Sequence, residues 1–225
     1  MALKLIGNGL SPFVRKARIA LAEKGLTYEH DPMVPFGVSA EYKRKHPLAK
    51  IPLLEVDGRP IPDSSAIVAY LERIRPEPPL YPSDPYEYAR AIWFEEFADG
   101  GMIATMGPKT FFPCVLKPLF GGKSEPDPAD VAAAEKCVAE DCPKFWDYLE
   151  RELGDNEYFV GNRLTIADIA VATGFVNLRY AGFAPERKRW PKLRAFIDRM
   201  HGRPSFKSAM EQDAPFAKRA GLVKD

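Results

Sequence analysis

Leu3-Lys4-Leu5-Ile6-Gly7-Asn8-Gly9-Leu10-Ser11-Pro12-Phe13-Val14-Arg15 is the stretch on which the reading of this chain turns. Leu3 to Ile6 is a compact apolar run, and Asn8-Gly9-Leu10-Ser11-Pro12 then breaks it and opens a helix. The predicted unit is strand, turn, helix. The helix carries Val14, Ala17 and Leu21 on one face, puts Arg15, Lys16 and Arg18 elsewhere, and meets a stop at Gly25. Leu26, Tyr28 and His30 alternate as a second strand, followed by an irregular proline-containing stretch.

Downstream, Ile51 to Val56 and Pro60-Ile61 flank Asp57-Gly58, the pair that most favours a tight antiparallel hairpin. A helix then starts at Asp63-Ser64 and is expected to bury Ile67, Val68, Leu71 and Ile74. Between Pro76 and Pro85 the density of proline rules out both helix and central strand, which marks a linker. Everything beyond it reads as helix: Tyr86 to about Met106, loosened at Gly100-Gly101, then Pro128 to about Leu153, Thr165 to Tyr180 and Pro191 to His201. Phe111 to Pro126, rich in proline, glycine and aromatics, has no assigned element.

Bulk composition narrows the function classes. A net charge of +1 gives no general pull on polyanions, so nucleic acid is not an expected partner. The densest basic run, Arg187, Lys188, Arg189, Lys192 and Arg194, reads as a solvated face. Asp168 interrupts the most apolar candidate, Ile166 to Val176, so no membrane span is expected. Met1-Ala2-Leu3-Lys4 leads straight into the first strand without a signal-peptide pattern, and the expected address is cytoplasmic. Cys114, Cys137 and Cys142 lack metal-ligand spacing and read as free thiols, with no metal site expected.

Ser11 stands where unsatisfied backbone N–H groups and the helix dipole favour an anion, although serine there also serves simply as an N-cap. Arg15, one turn on, either adds positive potential or is a surface cation. Pro52 marks a strand entrance, and Asp63-Ser64 a helix cap. Thr165 and Asp168 have capping-box spacing, with Leu164 and Ile169 as the accompanying staple, a structural device.

In this order, Ser11-Pro12-Phe13-Val14-Arg15, Lys50-Ile51-Pro52, Asp63-Ser64 and Thr165-Ile166-Ala167-Asp168 resemble the cytosolic glutathione transferase family over nearly the whole chain. The resemblance implies a thioredoxin-like α/β domain over residues 1–77, a linker over 78–86, and an all-helical domain over 87–225 that completes an electrophile site. It implies glutathione as co-substrate, with the Ser11 hydroxyl hydrogen donated to its sulfur. It also implies a cis bond at Pro52, leaving the Ile51 backbone to pair with the cysteinyl backbone, and a glutathione-site role for Phe13. Lys50 would take the glycine carboxylate, and Asp63 and Ser64 the γ-glutamyl end. Leu10, Met102, Met106, Phe111, Phe112 and Tyr180 either line the electrophile site or build core.

Some relatives have cysteine at the Ser11 position, others tyrosine or a Ser-Ser-Cys approach. The single serine before Pro12-Phe13 is closest to serine-type, bacterial-like members. The implied activity is a detoxifying attack on an apolar electrophile or hydroperoxide by a homodimer. The alternatives are a non-catalytic glutathione-binding or protein-interaction module of the same fold, and a glutathione-dependent isomerase. Asn8 and Arg15 are further candidates to assist Ser11.

Overall fold

The computed structural model describes the backbone of residues 1–219 and the side chains of residues 1–213. The chain falls into two compact units, parting between Tyr81 and Pro82.

In the first unit, β1 (Leu3–Ile6) leads through Gly7–Leu10 into α1 (Pro12–Glu23). Gly25, at φ +62°, closes that helix, and the Leu26 N–H reaches back to the Leu21 carbonyl. Next come β2 (Glu29–Asp31), α2 (Ala40–Lys45), β3 (Leu53–Val56), β4 (Arg59–Pro62) and α3 (Ser64–Ile74). The sheet order is β2-β1-β3-β4, with β1 and β2 parallel and the other pairs antiparallel. Asp57 and Gly58 both have positive φ, so the β3–β4 hairpin turns with the twist that a two-residue loop requires. Leu5 and Leu54, paired across β1 and β3, are fully buried on one face. Ile6 and Leu53 face the other way and pack with Tyr42 of α2.

Three expectations for this unit change. Helix α2 occupies the stretch read as irregular, capped by Ser39 Oγ accepting from the Tyr42 N–H at 3.1 Å. Arg15, Lys16 and Arg18 are all buried, so the picture of Arg15 as a surface cation is wrong. The Arg15 guanidinium instead donates to the Gly9 carbonyl at 3.1 Å, and Lys16 Nζ donates to Ser65 Oγ at 3.0 Å. Ile74, at the last position of α3, is only half-buried.

Lys24 is the other buried cation of the first unit. Its Nζ lies 2.6 Å from the Glu72 carboxylate and donates to the Arg75 and Pro78 carbonyls at 2.7 and 2.9 Å. Glu72 in turn accepts from the Leu80 N–H at 3.2 Å. The start of the proline-rich segment is thereby tied to the ends of α1 and α3.

The second unit is helical: α4 (Pro85–Glu96), a π-helical stretch (Phe97–Ile103), α5 (Ala104–Lys109), a second π-helical turn (Phe112–Leu116), and α6 (Lys117–Phe120). Then follow α7 (Pro128–Glu140), α8 (Pro143–Leu153), α9 (Ile166–Tyr180), α10 (Pro191–His201) and α11 (Pro204–Arg219). The widened turns fall at Gly100-Gly101, where the sequence predicts loosening, and around Pro113 in the stretch that had no assigned element. The single helix expected from Pro128 to Leu153 is two, because Pro143 lacks the N–H needed to continue across Cys142.

Helix α9 is buried from Ile166 through Leu178 and forms the centre of this unit, packed by α4 and α10. Asp168 Oδ2 accepts from the Thr165 N–H at 2.8 Å and the Thr165 hydroxyl at 3.1 Å, while Oδ1 accepts from the Phe159 N–H at 2.9 Å. Burial pushes the Asp168 carboxyl up to about 7, against the opposing pull of those donors. Helix α10 takes its cap from another helix: Glu150 of α8 accepts from the Lys192 and Leu193 N–H groups at 3.1 and 2.7 Å.

The basic run beside α10 is largely met by acids, with Arg187 and Arg194 on Asp198, Arg189 on Asp147 and Lys192 on Asp155. Cys114, Cys137 and Cys142 are free and buried, and burial raises all three thiols above their usual range. Among the described residues no helix is long and apolar enough to cross a membrane, and no cluster of three potential metal ligands occurs.

Candidate functional site

In the first unit the strand-to-helix turn is held by both backbone and side-chain hydrogen bonds. Asn8 Oδ1 accepts from the Leu10 N–H at 3.0 Å, the Asn8 carbonyl from the Ser11 N–H at 3.1 Å, and Arg15 holds the Gly9 carbonyl. Asn8 and Arg15 therefore shape the turn that presents Ser11. Ser11 has extended backbone (φ −68°, ψ 127°) and is the N-cap of α1. Its Oγ accepts one long bond, 3.4 Å from the Val14 N–H, and its hydroxyl hydrogen has no acceptor among the described residues. Ser11 and Phe13 are half-buried, whereas Leu10 is buried.

The Ile51-Pro52 bond is cis. It approaches the start of α1 closely at Gly7, where an added Cβ would lie 2.6 Å from Val14 Cγ2 and 3.0 Å from Ile51 Cβ. Only a glycine lets β1, α1 and the Pro52 loop converge there. The loop is also held from α2, since the Tyr42 hydroxyl donates to the Lys50 carbonyl at 2.7 Å. Lys50 itself is exposed and makes no ion pair with a described residue.

Asp63, at φ +75°, caps α3 by accepting from the Ser65 N–H at 2.8 Å and the Ala66 N–H at 3.4 Å, both on Oδ1. Ser64 is buried at the first position of α3, and its hydroxyl makes no hydrogen bond with a described residue. The Lys16–Ser65 bond ties this helix start to α1. The close approach at Gly7 brings the Pro52 loop to the start of α1, and the Lys16–Ser65 bond brings the start of α3 to that same helix.

Sequence reasoning missed Gly7, Tyr42 and His46. His46 is buried, stacks on Tyr42 with ring centroids 6.2 Å apart, and feels both Asp63 and Lys50. Burial lowers its pKa; Asp63 opposes that shift and Lys50 adds to it. The signal for Tyr42 was the Ser39 cap hidden in the proline-containing stretch. In the second unit Met102, Met106 and Phe111 are buried, Tyr180 is half-buried and Phe112 is exposed. Met102 and Ile103 pack against α9 at Gly174, where a Cβ would come within 2.9 Å of each.

A thioredoxin-like α/β domain followed by a helical domain is the architecture these features define. Residues 5–79 match the glutathione S-transferase N-terminal domain, and residues 115–213 match the glutathione S-transferase C-terminal domain. The uncharacterized GST-like protein YibF of Escherichia coli K12 is 31% identical, covering 91% of this chain and 96% of its own length. Elongation factor 1-gamma 1 of Oryza sativa is 30% identical over 87% of this chain, which spans only 45% of that longer protein. A glutathione S-transferase of Methylobacterium radiotolerans, solved with glutathione sulfonate, is 32% identical, with a TM-score of 0.72, 93% of this chain and 94% of that one. The chain belongs to the glutathione S-transferase family.

Proposed function

We propose that the protein is a glutathione transferase of the serine type, in which the Ser11 hydroxyl donates its hydrogen to the sulfur of bound glutathione. The observation that carries this reading is the hydroxyl hydrogen of Ser11, unclaimed among the described residues, at the N-terminus of α1 and beside the cis Ile51-Pro52 loop. Serine is a poor base, so its contribution is electrostatic: a donated hydrogen bond and the positive helix end favour thiolate over thiol. In this reading Lys50 takes the glycine carboxylate, the Ile51 backbone pairs with the cysteinyl backbone, and Asp63 and Ser64 hold the γ-glutamyl amine and carboxylate. The thiolate then forms a carbon–sulfur bond to an apolar electrophile and expels its leaving group. Residues 1–77 would bind the tripeptide and the helical domain would frame the second substrate. The bacterial YibF similarity supports a bacterial-like member.

The test is Ser11→Ala. Glutathione binding should persist, the bound thiol's pKa should rise, and turnover near neutrality should fall roughly ten- to a hundredfold for a lost bond of about 1.5 to 3 kcal/mol. Ultraviolet titration of the bound thiolate and a chlorodinitrobenzene assay read these out. A wild-type titration and turnover in the variant would leave Ser11 as a helix cap only.

The elongation factor 1-gamma similarity favours a second reading, a non-catalytic interaction module. Retention on immobilised glutathione together with conjugation of any electrophile argues for the enzyme; failure of both supports the module.

A further inference from the structure

Gly7 is the residue at which the chain leaves β1 for the turn that ends at Ser11. It does so at φ +144°, a conformation open to glycine, and it has no side chain to restrain the peptide plane that follows. Its amide is fixed, because the Gly7 N–H donates to the Asp31 carbonyl at 2.8 Å. Its carbonyl belongs to the next plane, the Gly7–Asn8 peptide, and the orientation of that plane sets the direction in which the turn sets out.

His30 of β2 reaches that second plane. Its Nε2 lies 2.9 Å from the Gly7 carbonyl oxygen. A carbonyl only accepts, so the imidazole donates, which fixes the tautomer with hydrogen on Nε2. The ring is half-buried and meets Tyr28 edge-on, with centroids 6.3 Å apart. In the parallel β1–β2 pair His30 lies opposite Leu5 and Asp31 opposite Ile6. That register lets consecutive residues of β2, one by its side chain and the other by its main chain, hold the carbonyl and the amide of one glycine.

We propose that His30 is a positioning residue for the chemistry assigned to Ser11: by holding the Gly7–Asn8 plane it keeps the Ser11 hydroxyl aimed at the sulfur of glutathione. This inference rests on the serine-type reading. A rotation of the plane is carried forward because Asn8 accepts from the Leu10 N–H through its side chain and from the Ser11 N–H through its carbonyl. A donated hydrogen bond weakens steeply as it bends, so lost aim raises the pKa of the bound thiol. Glutathione affinity is spared, since Lys50, Asp63 and Ser64, which hold the ends of the tripeptide in that reading, lie in the Pro52 loop and at the start of α3.

The test compares His30→Leu, which removes the donor, with His30→Gln, which carries an amide N–H to about the place of Nε2. His30→Leu should raise the bound thiol's pKa and lower turnover near neutrality roughly fivefold, a deficit that closes as pH rises, with KM for glutathione unchanged. His30→Gln should restore the titration and most of the turnover. Ultraviolet titration of the bound thiolate and chlorodinitrobenzene kinetics read these out on the full chain, with Ser11→Ala alongside. Nitrogen NMR of the imidazoles in the parent protein at alkaline pH needs no variant and should show His30 with its hydrogen on Nε2. The role of His30 is overturned, with the Ser11 reading left standing, by any of three results: an unmoved titration in folded His30→Leu while Ser11→Ala shifts it, a glutamine variant no better than the leucine one, or an Nδ1–H tautomer. An unmoved titration in Ser11→Ala overturns the serine reading itself and the role of His30 with it.

Discussion

Asp63 is held at φ +75°, a conformation that costs a non-glycine residue on the order of 1 to 3 kcal/mol. Its Oδ1 caps α3 while Oδ2 makes no hydrogen bond with a described residue, which leaves one carboxylate oxygen for a cationic guest. Asp63→Asn retains a capping oxygen and removes the charge. Calorimetry should show glutathione bound more weakly by roughly 1 to 3 kcal/mol, with an unchanged melting temperature. Asp168 gives a pH-dependent counterpart in the second unit. Its folded pKa of about 7 lies above the roughly 3.9 of an unfolded aspartate. The folded state therefore binds the extra proton between those values, and this group's stabilisation is complete below pH ~4 and lost as pH rises through ~7. Denaturant midpoints measured against Asp168→Asn should show the wild type losing relative stability from about pH 4 to about pH 7 and levelling above it. Thr165 and Asp168 were readable because capping is local in sequence. Arg15, Lys16 and Arg18 were not, since charge on a helix reads as solvent exposure and Lys16 finds its partner Ser65 on another helix.

Elements governed by local signals were legible, as with the Asp57-Gly58 hairpin, the α1 stop at Gly25 and the Pro191 start of α10. Helix α2 was not, because six residues between proline-containing loops give too few turns for a periodic pattern, and Tyr42 earns its burial only by meeting Ile6 and Leu53. Glu150 capping α10 from α8 is likewise invisible in sequence. The Lys24–Glu72 tie is the element-scale contact most open to test. Lys24→Met removes a fully buried cation from between a carboxylate, the C-cap carbonyl of α3 and a carbonyl of the proline-rich segment. Urea unfolding should show a loss of about 3 kcal/mol, the usual consequence of leaving the remaining buried partners unpaired. A loss of no more than about 0.5 kcal/mol, the range of an ordinary surface substitution, would mean that the tie contributes nothing to stability.

For the molecule as a whole we expect a homodimer. Tyr86 and Trp93 on α4 and Leu48 before the Pro52 loop are large apolar side chains left 74%, 48% and 72% exposed within a single chain. Sedimentation equilibrium at micromolar concentration should give twice the chain mass, and a monomer there would refute the expectation. The two-unit architecture was legible because a proline-rich break separates a strand-bearing half from a purely helical one. Whether Met102, Met106 and Phe111 build core or a binding wall was not legible, because methionine and phenylalanine carry the same signal in both.

A buried thiol reacts with a soft electrophile only when the fold around it opens. All three of the protein's cysteines lie in the helical unit, buried and pushed toward the protonated form, so none offers a ready thiolate. A maleimide left to react with the native protein would therefore be consumed only as fast as the helical unit opens, which turns three silent residues into a clock for that opening.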